Sequence, residues 1–181
     1  MCEPVVLDVE EYYINNDENA ILAWGRLYRK ELFEGVSYPV GKVYEDEYTT
    51  HIPLFTTPKV ALVSTPLYYY FINPNGIMGN TRLLNRLQAA DAFPQRLDFL
   101  ENKGYKKACN KTISLYKCFL IRNIRRVKDT NDLKDKKDIL KDLRRRLKGV
   151  IKLSKIHGIS EGGTYICILW QILFLTVFIP L

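Results

Sequence analysis

An apolar stripe with helical spacing across residues 137–152 limits most strongly what this chain can fold into. The stripe recurs every three or four positions, as one face of a helix requires. It consists of Ile139, Leu140, Leu143, Leu147, Val150 and Ile151. The opposite face carries Lys136, Lys137, Lys141, Arg144, Arg145, Lys148 and Lys152. The pattern predicts a long amphipathic helix, with cap candidates in Thr130-Asn131-Asp132, that packs one side and exposes a cationic one.

Two further apolar patterns with helical spacing precede this stripe. The first consists of Leu83, Leu84, Leu87, Ala90 and Phe93. The second consists of Ile113, Tyr116, Leu120, Ile124 and Val127. We therefore expect residues 81–160 to be largely helical.

The two halves of the chain carry opposite net charge. Residues 1–80 hold 11 Asp or Glu and 5 Lys or Arg, whereas residues 81–181 hold 9 and 22, for a formal net charge of +7. Such asymmetry predicts two regions with different surroundings. The acidic half suits a site that handles hydroxyl groups or a metal. The basic half suits an anionic surface, either lipid headgroups or nucleic acid.

The first half predicts a small α/β unit. A short strand is expected over residues 4–8, and a helix from near Glu18 to Gly35. A second helix is expected over residues 47–56. Two strands, a buried one at 59–63 and an aromatic one at 67–72, are expected to pair or to lie side by side before a turn at Asn73-Pro74-Asn75-Gly76.

The cysteines do not have metal-site spacing. Cys2, Cys109, Cys118 and Cys167 form no C-x-x-C pair, and His51 and His157 are distant in sequence. We interpret them as reduced thiols of an intracellular protein.

The last 18 residues, 164–181, carry no charge. A membrane-spanning helix needs roughly 20 apolar residues, so this run lies at the short end of the range. Basic residues precede it, which would keep its N-terminal side in the cytoplasm. Two interpretations stay open: an apolar helix that spans or lies in a membrane interface, and one that docks on the protein.

Three short segments of the first half share their order and spacing with one enzyme family. They are Ala23-Trp24-Gly25-Arg26-Leu27-Tyr28-Arg29-Lys30-Glu31-Leu32-Phe33, Gly41-Lys42-Val43-Tyr44-Glu45-Asp46-Glu47 and Leu67-Tyr68-Tyr69-Tyr70. Together they resemble the W-x-K-L-Y-x-x-x-x-F segment, the G-x-x-Y-E-D loop and the Y-Y-Y strand of bacterial family 2 glycosyltransferases, over about residues 10–80. The resemblance implies an α/β fold class: the C-terminal portion of a GT-A fold, followed by a helical C-terminal region.

The resemblance also implies a catalytic role for the acidic loop. These enzymes transfer a sugar from a nucleotide-sugar donor to an acceptor hydroxyl, which must lose its proton to a positioned carboxylate. The family's base is the Asp of the E-D pair, which corresponds to Asp46, with Glu45 as its neighbour. Adjacent carboxylates repel when ionised, which raises the proton affinity of one if both are partly buried. Without the flanking motifs, Glu45-Asp46-Glu47 would read as a solvated acidic turn.

Three residues of the first motif are candidates for substrate binding. Trp24 and Tyr28 are four positions apart, so we expect them on one helix face, where they also pack. Arg26 stands where the family more often has Lys, and it would face either a diphosphate or solvent. The family often has Arg after its tyrosine strand and Ser-Ile after the turn. Phe71 and Gly76-Ile77 stand there instead, which weakens any phosphate contact from that turn.

The family's nucleotide-binding half is not among these residues. It would supply N-terminal βα units and a D-x-D type pair that holds a divalent metal, Mn²⁺ or Mg²⁺, on the donor diphosphate. Asp8-Val9-Glu10 has the right residue types, but only 13 residues separate Glu10 from Trp24, so we interpret it as a chance match before a helix. We therefore expect the metal ligands to be missing and the isolated chain to be inactive, and we assign no metal role to His51.

The resemblance sets the expected partners and place of action. They are a nucleotide-sugar donor and a glycan or glycolipid acceptor, used in bacterial surface polysaccharide synthesis in the cytoplasm, at the inner face of the plasma membrane. The expected regions are an acceptor-side part at 1–80, a basic helical region at 81–163 and an apolar helix at 164–181, interfacial or membrane-associated.

Two other interpretations remain. In the first, the chain is a non-catalytic remnant or a subunit that needs a separate N-terminal half. In the second, it is a basic helical module that binds an anionic membrane surface. Nucleic acid is disfavoured because the basic face has few interleaved aromatic residues and no recognised binding motif.

Overall fold

The computed structural model describes residues 3–71, 73, 76 and 83–159. The chain packs as two compact units, Met1–Cys109 and Asn110–Leu181. The regular elements are β1 Val5–Asp8, α1 Val9–Asn15, α2 Glu45–Thr49, α3 His51–Thr56, β2 Lys59–Leu62, α4 Leu83–Leu87, α5 Ala92–Asn102, α6 Lys106–Asp129 and α7 Lys136–Ile156. Short 3₁₀ turns cover Asp17–Ile21, Lys30–Phe33 and Gln88–Asp91.

The strands of the first unit form one antiparallel pair. β1 pairs with β2 in a register that runs from Val5 opposite Leu62 to Asp8 opposite Lys59. The strands predicted near 4–8 and 59–63 are therefore confirmed, although β2 is mostly exposed rather than buried. The predicted partner at 67–72 is wrong within the described residues, since residues 67–71 lie outside any strand.

The predicted helix from near Glu18 to Gly35 is also wrong. Only Asp17–Ile21 and Lys30–Phe33 form short 3₁₀ turns, and the chain between them is irregular. Gly25 takes a left-handed φ of 69°, which a continuous α-helix does not contain. The apolar face does not persist either, because Ile21 is buried whereas Leu27 is fully exposed.

The helical second half is confirmed. α6 buries Ile113, Tyr116, Leu120 and Val127, four of the residues predicted for its inner face. In the second unit α7 runs antiparallel to α6, because Nδ1 of His157 at its end lies 3.2 Å from Oδ1 of Asn110 near the start of α6. Turn residues between them take left-handed φ angles. Among the described helices, none is long and apolar enough to cross a membrane. The helix predicted over 164–181 lies outside the described residues.

Candidate functional site

The acidic triplet forms the first turn of α2. Tyr44, just before it, takes a left-handed φ of 68°, so the helix begins abruptly at Glu45. Although they are consecutive, the three carboxylates have different surroundings. Glu45 is exposed, whereas Asp46 and Glu47 are half-buried. The triplet is therefore not a uniformly solvated turn.

Asp46 is held by backbone groups from two of the three motif segments. Its Oδ1 accepts a hydrogen bond from the Glu47 N–H at 2.9 Å, and the Ala23 backbone also stabilises the carboxylate. Burial raises the pKa of Asp46 above its ordinary value of 3.8, the charge of Glu45 raises it further, and the backbone hydrogen bonds offset this only in part. The repulsion between adjacent carboxylates that the sequence predicted is present, with burial as the larger cause.

Glu47 points instead towards a buried cation on α5. Its carboxylate forms an ion pair with Arg96, whose side chain is 1% exposed, and its carbonyl oxygen accepts from Arg96 Nη2 at 2.8 Å. Burial alone would lower the pKa of Arg96, but Tyr13 and Glu47 outweigh it and raise that pKa. Arg96 Nη1 also donates to the Tyr13 hydroxyl at 3.4 Å. Arg96 on α5 thus joins Glu47 of α2 to Tyr13 of α1.

His51 follows α2 and is held neutral. It is buried on α3, and burial together with the charge of Arg96 lowers its pKa to about 3. Its ring lies edge-on to Phe99, with centroids 5.2 Å apart. These contacts give His51 a packing role.

Trp24 joins the first motif segment to the third. Its indole stacks on Tyr68 at 5.5 Å and lies against Tyr70 at 4.7 Å between ring centroids. Tyr68 and Tyr70, two positions apart, both lie against Trp24, whereas Tyr69 between them is 87% exposed. We call Trp24, Tyr68 and Tyr70 the aromatic platform; each of its rings is about half exposed.

Tyr28 and Arg26 lie in other surroundings. Tyr28 packs edge-on against Phe33 with centroids 5.3 Å apart, so the shared helix face expected for Trp24 and Tyr28 is wrong. Burial raises the pKa of Tyr28, and the charge of Arg26 lowers it in part. Arg26 itself donates to the Asn19 carbonyl and lies over the Tyr12 ring at 5.5 Å. Its substrate contact stays a prediction.

Two residues of this site were missed at the sequence level. Glu47 was given no fixed role and Arg96 was not considered. A signal for Arg96 exists, because it interrupts the apolar stripe formed by Phe93, Leu97 and Leu100, all buried on α5. An arginine inside such a stripe must be paired, since an unpaired buried charge is too costly.

Asp8 and Glu10 have structural roles. Asp8 is the N-cap of α1 and accepts from the Glu10 N–H at 2.8 Å. Glu10 Oε1 accepts from the Ala108 N–H at 2.9 Å. Within residues 3–71 and 83–159, no three His, Cys, Asp or Glu side chains are grouped so as to hold a metal ion.

The chain is similar to a known protein over part of its length. The glycosyltransferase GlyA of Streptococcus pneumoniae serotype 4 (strain ATCC BAA-334 / TIGR4) is 30% identical over 102 residues. The match covers 55% of this chain and 14% of GlyA, so it spans about one seventh of that relative. No protein-family model and no solved structure match the chain. The chain is thus related to a glycosyltransferase, which confirms the sequence-based resemblance at that level.

Proposed function

We propose that the first unit is the acceptor side of a family 2, GT-A type glycosyltransferase and that Asp46 is its general base. In this role the Asp46 carboxylate takes the proton of the acceptor hydroxyl as that oxygen attacks the anomeric carbon of a nucleotide-sugar. The C–O bond to the diphosphate breaks on the opposite face, and the diphosphate leaves with the bonding electrons.

One observation carries the proposal: the three motif segments meet at one place. The Ala23 backbone stabilises the Asp46 carboxylate, and the adjacent Trp24 stacks on Tyr68 and Tyr70. These segments are separated in sequence by loops of different length, so their meeting is a property of the fold. The relation to a glycosyltransferase supports the same conclusion.

The surroundings of Asp46 suit a base. Efficiency is highest when the pKa of the base lies near the operating pH, and both burial and Glu45 raise the pKa of Asp46 in that direction. The hydrogen bond from Glu47 fixes the Oδ1 oxygen.

The aromatic platform is joined to this base through Ala23, the residue before Trp24, and it suits an acceptor sugar. A pyranose ring has an apolar C–H face that packs on exposed aromatic rings, while its hydroxyls stay near polar groups. Trp24 follows Ala23 directly, so a sugar on the platform would have a hydroxyl close to Asp46. Arg26 and Tyr28 would complete this end of the site.

The complete enzyme needs more than these residues. A divalent metal, Mn²⁺ or Mg²⁺, supplies positive charge to the donor diphosphate in such reactions, and its ligands would lie in a nucleotide-binding half. In this proposal the chain either belongs to a longer protein or works as a subunit with that half. The isolated 181 residues are expected to transfer no sugar.

The experiment joins this chain to the nucleotide-binding half of a family 2 enzyme and measures sugar transfer. Asp46→Asn keeps the shape and removes the base, so turnover should fall by about 10²–10⁴-fold. Donor affinity should change little, because the base contacts the acceptor. Asp98→Asn is the matched control, since Asp98 is exposed on α5.

Two results would defeat the proposal. One is an Asp46→Asn hybrid with the turnover of its parent. The other is sugar transfer by the isolated chain, because the donor site would then lie within these residues rather than in a separate nucleotide-binding half.

A second candidate function follows from the cationic face of α7. Lys137, Lys141, Arg144, Lys148 and Lys152 are all exposed, while Leu143 and Val150 on the other face are buried. We propose that this face binds the anionic inner leaflet and places the acceptor site at the membrane. Each basic residue near such a surface adds about 1 kcal/mol.

Vesicle binding tests this second function. The chain should bind phosphatidylserine vesicles and not phosphatidylcholine ones, more weakly at high salt. Lys141→Glu with Lys148→Glu should abolish binding, whereas Lys106→Glu with Lys107→Glu, also exposed, should keep most of it. Equal binding by both double variants would reject a specific role for α7.

A further inference from the structure

Arg96 is the largest side chain that is fully buried among the described residues. A buried cation is tolerated only when its hydrogen-bonding groups are satisfied, yet Arg96 Nε has no partner in the described part of the chain. The guanidinium is therefore oriented by its two terminal nitrogens. Those nitrogens contact Glu47 and Tyr13.

Glu47 is held by Arg96 at two points and contacts Asp46 at a third. Arg96 Nη2 donates to both the carboxylate and the carbonyl oxygen of Glu47. The N–H of the same Glu47 residue donates to Asp46 Oδ1 at 2.9 Å and is shared with the Tyr44 carbonyl oxygen at 3.2 Å. A continuous path of hydrogen bonds thus runs from α5 through one residue to the carboxylate.

We propose that Arg96 is a positioning residue for Asp46: it fixes Glu47, whose N–H in turn fixes the direction of the Asp46 carboxylate. The proposal rests on the proposed function in one respect: Asp46 is taken to be the general base. It also extends the site, because α5 lies outside the residues that carry the family resemblance. The acidic loop therefore depends on a helix of the C-terminal half of the chain.

A purely structural role for the Arg96–Glu47 pair predicts a different outcome. Replacing both members of a buried ion pair by neutral groups of similar volume is often close to neutral for stability, whereas removing one leaves an uncompensated charge. The double variant Arg96→Met with Glu47→Gln therefore removes the anchor without leaving a buried charge. If the pair serves only stability, its loss should change neither amide exchange at residue 47 nor the pKa of Asp46.

The experiment uses NMR on the full chain. Amide hydrogen exchange at residue 47 and the carboxyl-carbon titration of Asp46 are measured in the wild type and the double variant. We expect exchange at residue 47 to be at least about tenfold faster in the double variant, relative to the amides of α7. The Asp46 pKa should rise further, since a hydrogen bond to the charged form is lost.

Two single variants complete the design. Glu47→Gln keeps the Arg96 bond to the residue 47 carbonyl, so exchange there should change by less than about threefold. Arg145→Met removes an exposed arginine paired with Asp142 and should leave residue 47 unchanged. A folded double variant with unchanged exchange and titration overturns the proposal. So does a double variant that fails to fold, because it would show that the pair serves the fold.

Activity separates this proposal from the proposed function. In the joined enzyme, the double variant should lower kcat while leaving the KM for the donor unchanged. If Asp46→Asn proves fully active, the proposed function fails while the NMR coupling between Arg96 and Asp46 still stands. If Asp46→Asn is inactive and the coupling is absent, only the positioning role fails.

Discussion

Two regions of this chain both predict helices from their apolar spacing, but only one is a helix. α7 follows its prediction closely, with Leu143 and Val150 buried and the lysines exposed. The segment from residue 18 to 35 does not, although Ala20, Ile21, Trp24 and Leu27 have similar spacing. In α7 the apolar positions recur at helical spacing from Ile139 to Ile151 without a break, whereas a left-handed Gly25 interrupts the pattern in the segment from 18 to 35.

The difference shows what apolar spacing measures. A stripe predicts a helix when the same face is buried throughout, because tertiary packing supplies most of a helix's stability. In the irregular segment each apolar residue has a different environment: Ile21 is buried, Trp24 stacks on tyrosines and Leu27 is exposed to solvent. The variants below compare matched residues in the two regions.

The largest effect is expected from the two leucines. Leu143→Ala in α7 removes a side chain that is 3% exposed and should lower the free energy of unfolding by about 2–5 kcal/mol. Leu27→Ala removes one that is fully exposed and should change it by less than about 0.5 kcal/mol. Urea denaturation followed by circular dichroism measures both.

Equal losses for the two leucines would contradict the comparison. A large loss at Leu27 would show that the residue is covered, and that the segment packs as a helix after all.

Much of the fold could be predicted from the sequence, and the failures share a cause. α6, α7, β1 and β2 were predicted because stripes and turn residues report local geometry. The strand expected at 67–72 was wrong because aromatic residues favour any half-buried surface and do not by themselves require a hydrogen-bonded partner strand. Tyr68 and Tyr70 pack on Trp24 instead.

Part of the candidate site could also be predicted from local sequence signals. Asp46 and Trp24 were proposed from motif order, and their segments lie together in the structure, while their catalytic and binding roles stay predictions. The Arg96–Glu47 pair was not found. The apolar stripe of α5 indicates that Arg96 needs a partner, but a single sequence does not show that the partner is Glu47, 49 positions away. The partners of Arg26 and Tyr28 were missed for a different reason, because the segment that carries both residues was predicted as a helix and is irregular.

The second effect concerns two glycines, one in each region. Gly25→Ala should destabilise the chain by about 1 kcal/mol or more, because its φ of 69° is unfavourable for a residue with a Cβ. Gly149→Ala in α7 should stabilise it by about 0.4–1 kcal/mol, because alanine favours the helix.

Steric clashes do not complicate this pair. A Cβ built at either glycine meets nothing within 4 Å, so the comparison isolates backbone conformation. The same denaturation experiment measures both variants. If both variants change the free energy of unfolding in the same direction, the two glycines do not differ in backbone conformation, and the contrast between the regions is wrong.

The smallest effect is a pH dependence of opposite sign at two aspartates. Burial and Glu45 raise the folded pKa of Asp46 above 3.8, so its ionised form costs stability. That cost is absent below the unfolded pKa and grows as the pH rises through the folded pKa. Burial would also raise the pKa of Asp142 in α7, but Arg145 and Arg146 outweigh it and lower that pKa. The stabilisation by Asp142 is therefore present above the unfolded pKa and is lost as the pH falls through the folded pKa.

Asp46→Asn should raise Tm at pH 7 and change it little at pH 3, whereas Asp142→Asn should lower Tm at pH 7. If Asp46→Asn instead lowers Tm at pH 7, the carboxylate stabilises the fold, and the argument that Asp46 is held there at a cost, for chemistry rather than packing, fails.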